Sequence, residues 1–150
     1  MRIALVDDCP NDLSIMHQFL AEALDTDSVI TEFHNGEDFL QHWSADTFDL
    51  IVLDIYMDQL TGIEIARVIR ETDPNVCLVF ATTSNEFASE SYEVNACYYL
   101  CKPFLKQQVL AMLDRIGQQN LEVSRTVPLP NGEKVPLRSI IYADYASHRV

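Results

Sequence analysis

No apolar run in the 150-residue chain approaches the roughly 20 residues that a helix needs to cross a bilayer, so the sequence offers no membrane span. The N-terminus, MRIALVDD, turns acidic too early to be read as a signal peptide. Cys9, Cys77, Cys97 and Cys101 form no zinc-type CxxC pair, and His17, His34, His42 and His148 are scattered rather than clustered as ligands. Reduced thiols in a cytoplasmic protein are the expectation. Internal repeats and low-complexity stretches are absent. Positive charge is also in short supply: 10 Lys and Arg face 23 Asp and Glu, for a net charge of −13. The imbalance is uneven. Residues 1–120 hold 6 basic and 20 acidic side chains, net −14, whereas residues 121–150 carry net +1. Such an acidic body repels nucleic-acid phosphates, and the change of charge near residue 120 is a domain-boundary signal.

What the chain does contain is an alternation. RIALV (2–6) is a short strand-like run ending in Asp7-Asp8, and Pro10-Asn11-Asp12 opens a helix with Leu13, Met16, Leu20 and Leu24 on one stripe. Strands are predicted over Ser28–Phe33, Asp49–Leu53, Val76–Ala81 and Cys97–Cys101. Helices are predicted from Gly36 to about Ser44, over Gly62–Glu71 and Glu86–Val94, and from about Leu105 to Gln118. Strand and helix thus alternate five times, which implies a parallel sheet covered on both faces with right-handed crossovers. After residue 120 the pattern becomes all-β: Val127–Leu129 and Arg138–Ala143 are strand-like around an Asn131-Gly132 turn. A hairpin of that size makes no stable core alone.

The run LIVLDIYMD (50–58) carries the chemical question. A buried strand ends on Asp54, although burying a carboxylate costs several kcal/mol unless it is paired or metal-bound. In a parallel α/β sheet, ligands sit beyond the carboxyl ends of the strands. Those ends here are Asp7-Asp8, Asp54, Thr82 and Lys102. Three carboxylates gathered at one edge repel, and a hard divalent cation such as Mg2+ relieves that repulsion. The hydroxyl and the ammonium suit phosphoryl oxygens, and Asp54 at the end of a central strand is the natural nucleophile. On this reading Asp54 caps the core at a metal-bound edge instead of lying within it. Taken singly, each residue has an ordinary explanation: Asp7-Asp8 and Thr82 as helix caps, Asp54 as a loop aspartate, Lys102 as a solvated surface lysine. Their joint placement at four strand ends is what points to chemistry.

The segments LVDD, LIVLDIYM with Gly62, VFATT and YYLCKPF resemble, in combination and spacing, the response-regulator receiver domain over residues 1–120. The resemblance implies a flavodoxin-like, doubly wound sheet of five parallel strands in the order 2-1-3-4-5, with helices on both faces. It implies that Asp54 accepts a phosphoryl group from a cognate histidine kinase, and that Mg2+ binds Asp8, Asp54 and the Tyr56 backbone carbonyl directly and Asp7 through water. Thr82 and Tyr99 would be the switch pair, and Lys102 would hold a phosphoryl oxygen ahead of a cis Lys102–Pro103 bond. A homodimer through the fourth helix, fifth strand and fifth helix would be the output; the stripe Val109, Met112, Leu113 and Ile116 is expected mainly to face the core, with part of it also serving that interface. One position departs from the pattern: Asp58 stands where receivers commonly have proline. The tail, VPLPNGEKVPLRSIIYADYASHRV, resembles the opening strands of a LytTR-type DNA-binding domain, so the parent would be a transcription regulator that reaches DNA through a domain this chain lacks. The expectation is that the 150-residue chain does not itself bind DNA sequence-specifically. The alternatives are a receiver-like interaction module that takes no phosphate, and an aspartyl-nucleophile phosphatase, which would need an acidic residue where Tyr56 stands.

Overall fold

The computed structural model describes residues 1–124, 126–128 and 134–136, with side chains over residues 1–117. Five strands, β1 (Arg2–Val6), β2 (Val29–Phe33), β3 (Leu50–Leu53), β4 (Cys77–Thr82) and β5 (Tyr98–Cys101), form one parallel sheet in the order β2-β1-β3-β4-β5. Between them run α1 (Pro10–Ala23), α2 (Gly36–His42), α3 (Gly62–Thr72) and α4 (Ala88–Glu93), and α5 (Lys106–Ser124) follows β5. This is the α/β architecture expected from the alternation. The central strands β3 and β4 are buried at every residue, as their unbroken apolar runs require in a sheet covered on both faces. Edge strand β2 instead alternates, with Val29 and Thr31 exposed and Phe33 buried.

One face of the sheet presents Ala4, Val6, Ile51, Leu53, Leu78 and Phe80 to Phe39 of α2 and to Ile65, Ala66 and Ile69 of α3. Phe39 and Phe80 are fully buried, and each such side chain contributes about 1.5–3 kcal/mol through loss of apolar surface to water. Trp43, which caps the C-terminus of α2, stacks on Phe39 with ring centroids 6.0 Å apart and donates its indole N–H to Thr72 Oγ1 at 3.1 Å. On the other face, Leu5 and Val52 meet Leu13 and Met16 of α1 and Phe104.

Local chemistry explains the helix starts. Pro10 occupies the first position of α1, where its missing N–H costs nothing. Asn35 caps α2 by accepting from the Asp38 N–H. Thr61 and Glu64 form a reciprocal capping box on α3. At its far end α3 sends Arg70 to the terminus of α4: the guanidinium donates to the carbonyls of Val94, Asn95 and Asp73. These are orphan carbonyls that a cation near a helix C-terminus satisfies well.

Element boundaries differ from the sequence expectations by a residue or two. The larger differences lie at the end of the chain. Helix α5 continues to Ser124, past the expected stop at Gln118, and its Val109, Met112 and Ile116 are buried as predicted, with Leu113 half-buried. Strand β6 (Thr126–Pro128) pairs antiparallel with β7 (Lys134–Pro136). The predicted strand Arg138–Ala143 and the Asn131-Gly132 turn lie outside the described residues. By backbone contacts the chain divides into two units, Met1–Leu110 and Ala111–Val150.

Candidate functional site

Strand register assembles the site. Val6 pairs with Leu53 and Leu53 with Phe80, so Asp7 and Asp54, each one residue further, emerge side by side. Their backbones are fixed there, the Asp54 N–H donating to the Val6 carbonyl and the Asp7 N–H to that of Phe33. Thr82 is level with Cys101, and the Lys102 N–H donates to the Thr82 carbonyl at 2.8 Å, which delivers Lys102 to the same edge. Oxygens of Asp7, Asp8 and Asp54 all lie within 4.8 Å of one another.

Burial within this group corrects one expectation. Asp54 is 4% exposed and Asp7 is also buried, whereas Asp8 is open. Asp54 thus lies inside the molecular surface instead of on an open rim, and what makes that tolerable is Lys102. The Lys102 side chain is 9% exposed; its ammonium lies 2.8 Å from Asp7 Oδ2, 2.8 Å from Asp12 Oδ2 and 3.4 Å from Asp54 Oδ2. Burial opposes the charge on Lys102, but its hydrogen bonds to Asp12 and Asp7 and the charges of Asp54 and Asp7 outweigh burial and hold its pKa above the usual lysine value. Asp54 is pushed the other way. Burial first, and the neighbouring Asp7 charge second, raise its pKa to about 7 against the pull of Lys102. Asp8 is raised by burial and by the charges of Asp7 and Asp58. Asp58, the departure from the receiver pattern, thus adds to the negative field of the site. It also lines, with Asp8, His34 and Glu37, a cleft of about 370 Å3.

The donor set fits a hard divalent cation. Three carboxylates share one lysine as their buried counter-charge, with Asp12 drawing on the same ammonium, and the raised pKa values of Asp8 and Asp54 express an excess of negative charge that a cation would relieve. A stability test follows. In metal-free protein the folded state holds the Asp54 proton more tightly than the unfolded chain does, so this group's penalty grows as pH rises from about 4 to about 7. Thermal melts in EDTA should show stability falling across that window for wild type, with a flatter profile for Asp54→Asn. Identical slopes for the two proteins would contradict the raised pKa.

Thr82 is fully buried and its hydroxyl has no hydrogen-bond partner among the described residues. A buried polar atom left this way costs about 1–3 kcal/mol and calls for a missing acceptor. Tyr99 is half-buried against Phe80, and its hydroxyl donates to the Ser84 carbonyl in the loop that follows Thr82. Tyr56 is exposed; its hydroxyl donates to Glu86 at 2.6 Å and its ring meets Phe87, linking the loop after β3 to the loop after β4. The Lys102–Pro103 bond is cis, as the resemblance implied.

The structure therefore brings together Asp7, Asp8, Asp54 and Lys102, and places Thr82 at the end of the strand adjoining Asp54. Sequence reading missed the roles of Asp12 and Glu86. Asp12 was absorbed into the helix-opening turn, where an acidic residue is ordinary; the signal available was its position one helical turn beyond Asp8.

Residues 3–114 match the family model described as the response regulator receiver domain. The chain is 34% identical over 119 residues to the sensory transduction protein LytR of Staphylococcus epidermidis, a match covering 77% of this chain and 46% of that protein. To LytR of Staphylococcus haemolyticus it is 30% identical, over 79% of this chain and 46% of the relative. The chain thus spans about half the length of the curated relatives it matches. Among solved structures, the BeF3-activated DrrB receiver domain is 32% identical with a TM-score of 0.68, covering 78% of this chain and 97% of that one. The response regulator TrrA from Thermotoga maritima, in complex with Mg2+ and BeF, is 27% identical with a TM-score of 0.67, covering 77% and 97%.

Proposed function

The chain belongs to the response regulator receiver domain family, and from that premise we propose that it is the phosphorylation-controlled switch of a two-component system, accepting a phosphoryl group on Asp54. The observation that carries this reading is the joint burial of Asp54, Asp7 and Lys102 beside the unpartnered hydroxyl of Thr82. An Asp54 carboxylate oxygen attacks phosphorus, forming an O–P bond. The P–N bond of a kinase phosphohistidine breaks, and the electron pair goes to the imidazole nitrogen, which takes a proton from water. Mg2+, held by Asp7, Asp8, Asp54 and the Tyr56 carbonyl, would neutralise phosphoryl charge when bound. Lys102 pairs with a phosphoryl oxygen, and Thr82 donates its hydroxyl to another, which gives that buried group its acceptor.

The output follows from Thr82. Its hydroxyl turns toward the dianion, and the space it leaves admits the Tyr99 ring, which must release the Ser84 carbonyl. The surface of α4, β5 and α5, where Tyr92 stands exposed, then changes its self-association. Beyond phosphorylating and dephosphorylating itself the chain performs no reaction: an aspartyl phosphatase would need a carboxylate two residues after Asp54, and that residue is Tyr56. We also propose that the tail belongs to a LytTR-type output domain of a longer transcription regulator, a reading supported by relatives about twice as long as the matched region.

The test is intact-mass analysis after incubation with acetyl phosphate and Mg2+. One phosphoryl mass is expected on wild type and none on Asp54→Asn. Equal labelling of both proteins would falsify the assignment of Asp54.

A further inference from the structure

We infer that Asp12 is a competing seat for the Lys102 ammonium, positioning that lysine away from the phosphoryl group and thereby slowing phosphorylation of Asp54. The inference rests on Asp54 being the phosphoacceptor. An ammonium has three N–H donors, and three carboxylates surround this one, with Asp7 and Asp12 at 2.8 Å and Asp54 at 3.4 Å. Its hydrogen-bonding capacity is already taken up. A phosphoryl oxygen can be accepted only when one carboxylate is released.

Asp12 is the one to release. The Asp7 side chain is 8% exposed and also accepts the Cys9 N–H through Oδ1, so it is fixed and would be stranded in the interior. Asp54 stays beside the lysine because it carries the phosphoryl group. The Asp12 side chain is 25% exposed and sits in the first turn of α1, where water and the unpaired helix N–H groups stabilise a bare carboxylate. Asp7, Asp12 and Asp54 border a cavity of about 10 Å3, room for about one water.

The experiment compares initial labelling rates by acetyl phosphate with saturating Mg2+, read by intact mass on the full chain. Asp12→Asn should label about fivefold to tenfold faster than wild type, the scale of one partly exposed charge-assisted hydrogen bond. Asp12→Glu, which keeps the carboxylate, should stay near wild type. Introducing Asp12→Asn into Lys102→Met should leave that protein's rate unchanged. An unchanged rate in Asp12→Asn overturns the inference, and so does an equal acceleration in the Lys102→Met background, which would make Asp12 a mere source of bulk charge. Should Asp12→Asn fold poorly, Asp12→Ser also removes the carboxylate and answers the same question. Should Lys102→Met label too slowly to read, 15N NMR of the Lys102 ammonium replaces it: faster N–H exchange with water is expected in Asp12→Asn, and an unchanged spectrum overturns the inference. Labelling of Asp54→Asn would instead strike at the phosphoacceptor itself.

Discussion

Replacing Gly62 by alanine is expected to destabilise the protein by about 3 kcal/mol or more and to weaken phosphorylation of Asp54 with it. A Cβ on Gly62 would stand 2.3 Å from the Asp54 carbonyl oxygen and 3.0 Å from Ile55 Cα. Both are backbone atoms, so no side-chain rotation relieves the clash. The Gly62 N–H also donates to the Ile55 carbonyl at 3.0 Å, which ties the start of α3 to the strand end it would have to leave. The loop must open by roughly an ångström, and the atom displaced belongs to Asp54, the proposed phosphoacceptor. Gly117→Ala is the control: among the described residues nothing lies within 4 Å of its Cβ in helix α5, and helix propensity favours alanine by about 0.5–1 kcal/mol. Urea unfolding should therefore move in opposite directions for the two variants. A Gly62→Ala protein as stable as wild type would mean that the loop after β3 yields freely.

Lys102→Met carries the second large effect. Removing one partner of a buried charge cluster costs about 3–5 kcal/mol, because the remaining charges are left uncompensated. Here the ammonium serves Asp7, Asp12 and Asp54 at once. The loss should be greatest at about pH 8 in EDTA. Near pH 5.5 it should shrink, because Asp54, whose pKa is already raised to about 7, then takes a proton and shed charge replaces neutralised charge. Saturating Mg2+ should restore much of the stability at pH 8, since a cation held by the carboxylates supplies the missing positive charge. A loss independent of both pH and Mg2+ would identify Lys102 as a packing residue instead of an electrostatic one.

The readable part of this molecule was its sheet. β3 and β4 announced themselves as apolar runs because both faces of a central parallel strand are buried, and the polar residue ending each run marked the edge where chemistry collects. Asp54 was legible as a candidate site residue for that reason, but its depth was not. Whether a strand-end carboxylate lies outside or inside the surface depends on whether a cation 48 residues later in the chain folds over it, and no local pattern encodes that. Asp12 was hidden differently: an acid in the first turn of a helix has a sufficient local explanation, which masks the hint given by its position one helical turn beyond Asp8. The extent of α5 was missed because Gly117 and the polar residues after it resemble a helix end, yet the helix runs on to Ser124.

Trp43 offers an optical consequence. It is the chain's one tryptophan, and its partner Thr72 closes α3, so both stand at the C-terminal ends of helices, α2 and α3, that run back from the ends of β2 and β3. Its emission therefore senses whether α2 and α3 remain packed and is remote from anything bound at the acidic edge. Unfolding curves with and without Mg2+ can be read from the same band without correction for quenching by the ligand. Tyr56 and Tyr99 flank that edge, so excitation passed from them to Trp43 would add an internal gauge of how far the two loops they occupy move when the site is loaded.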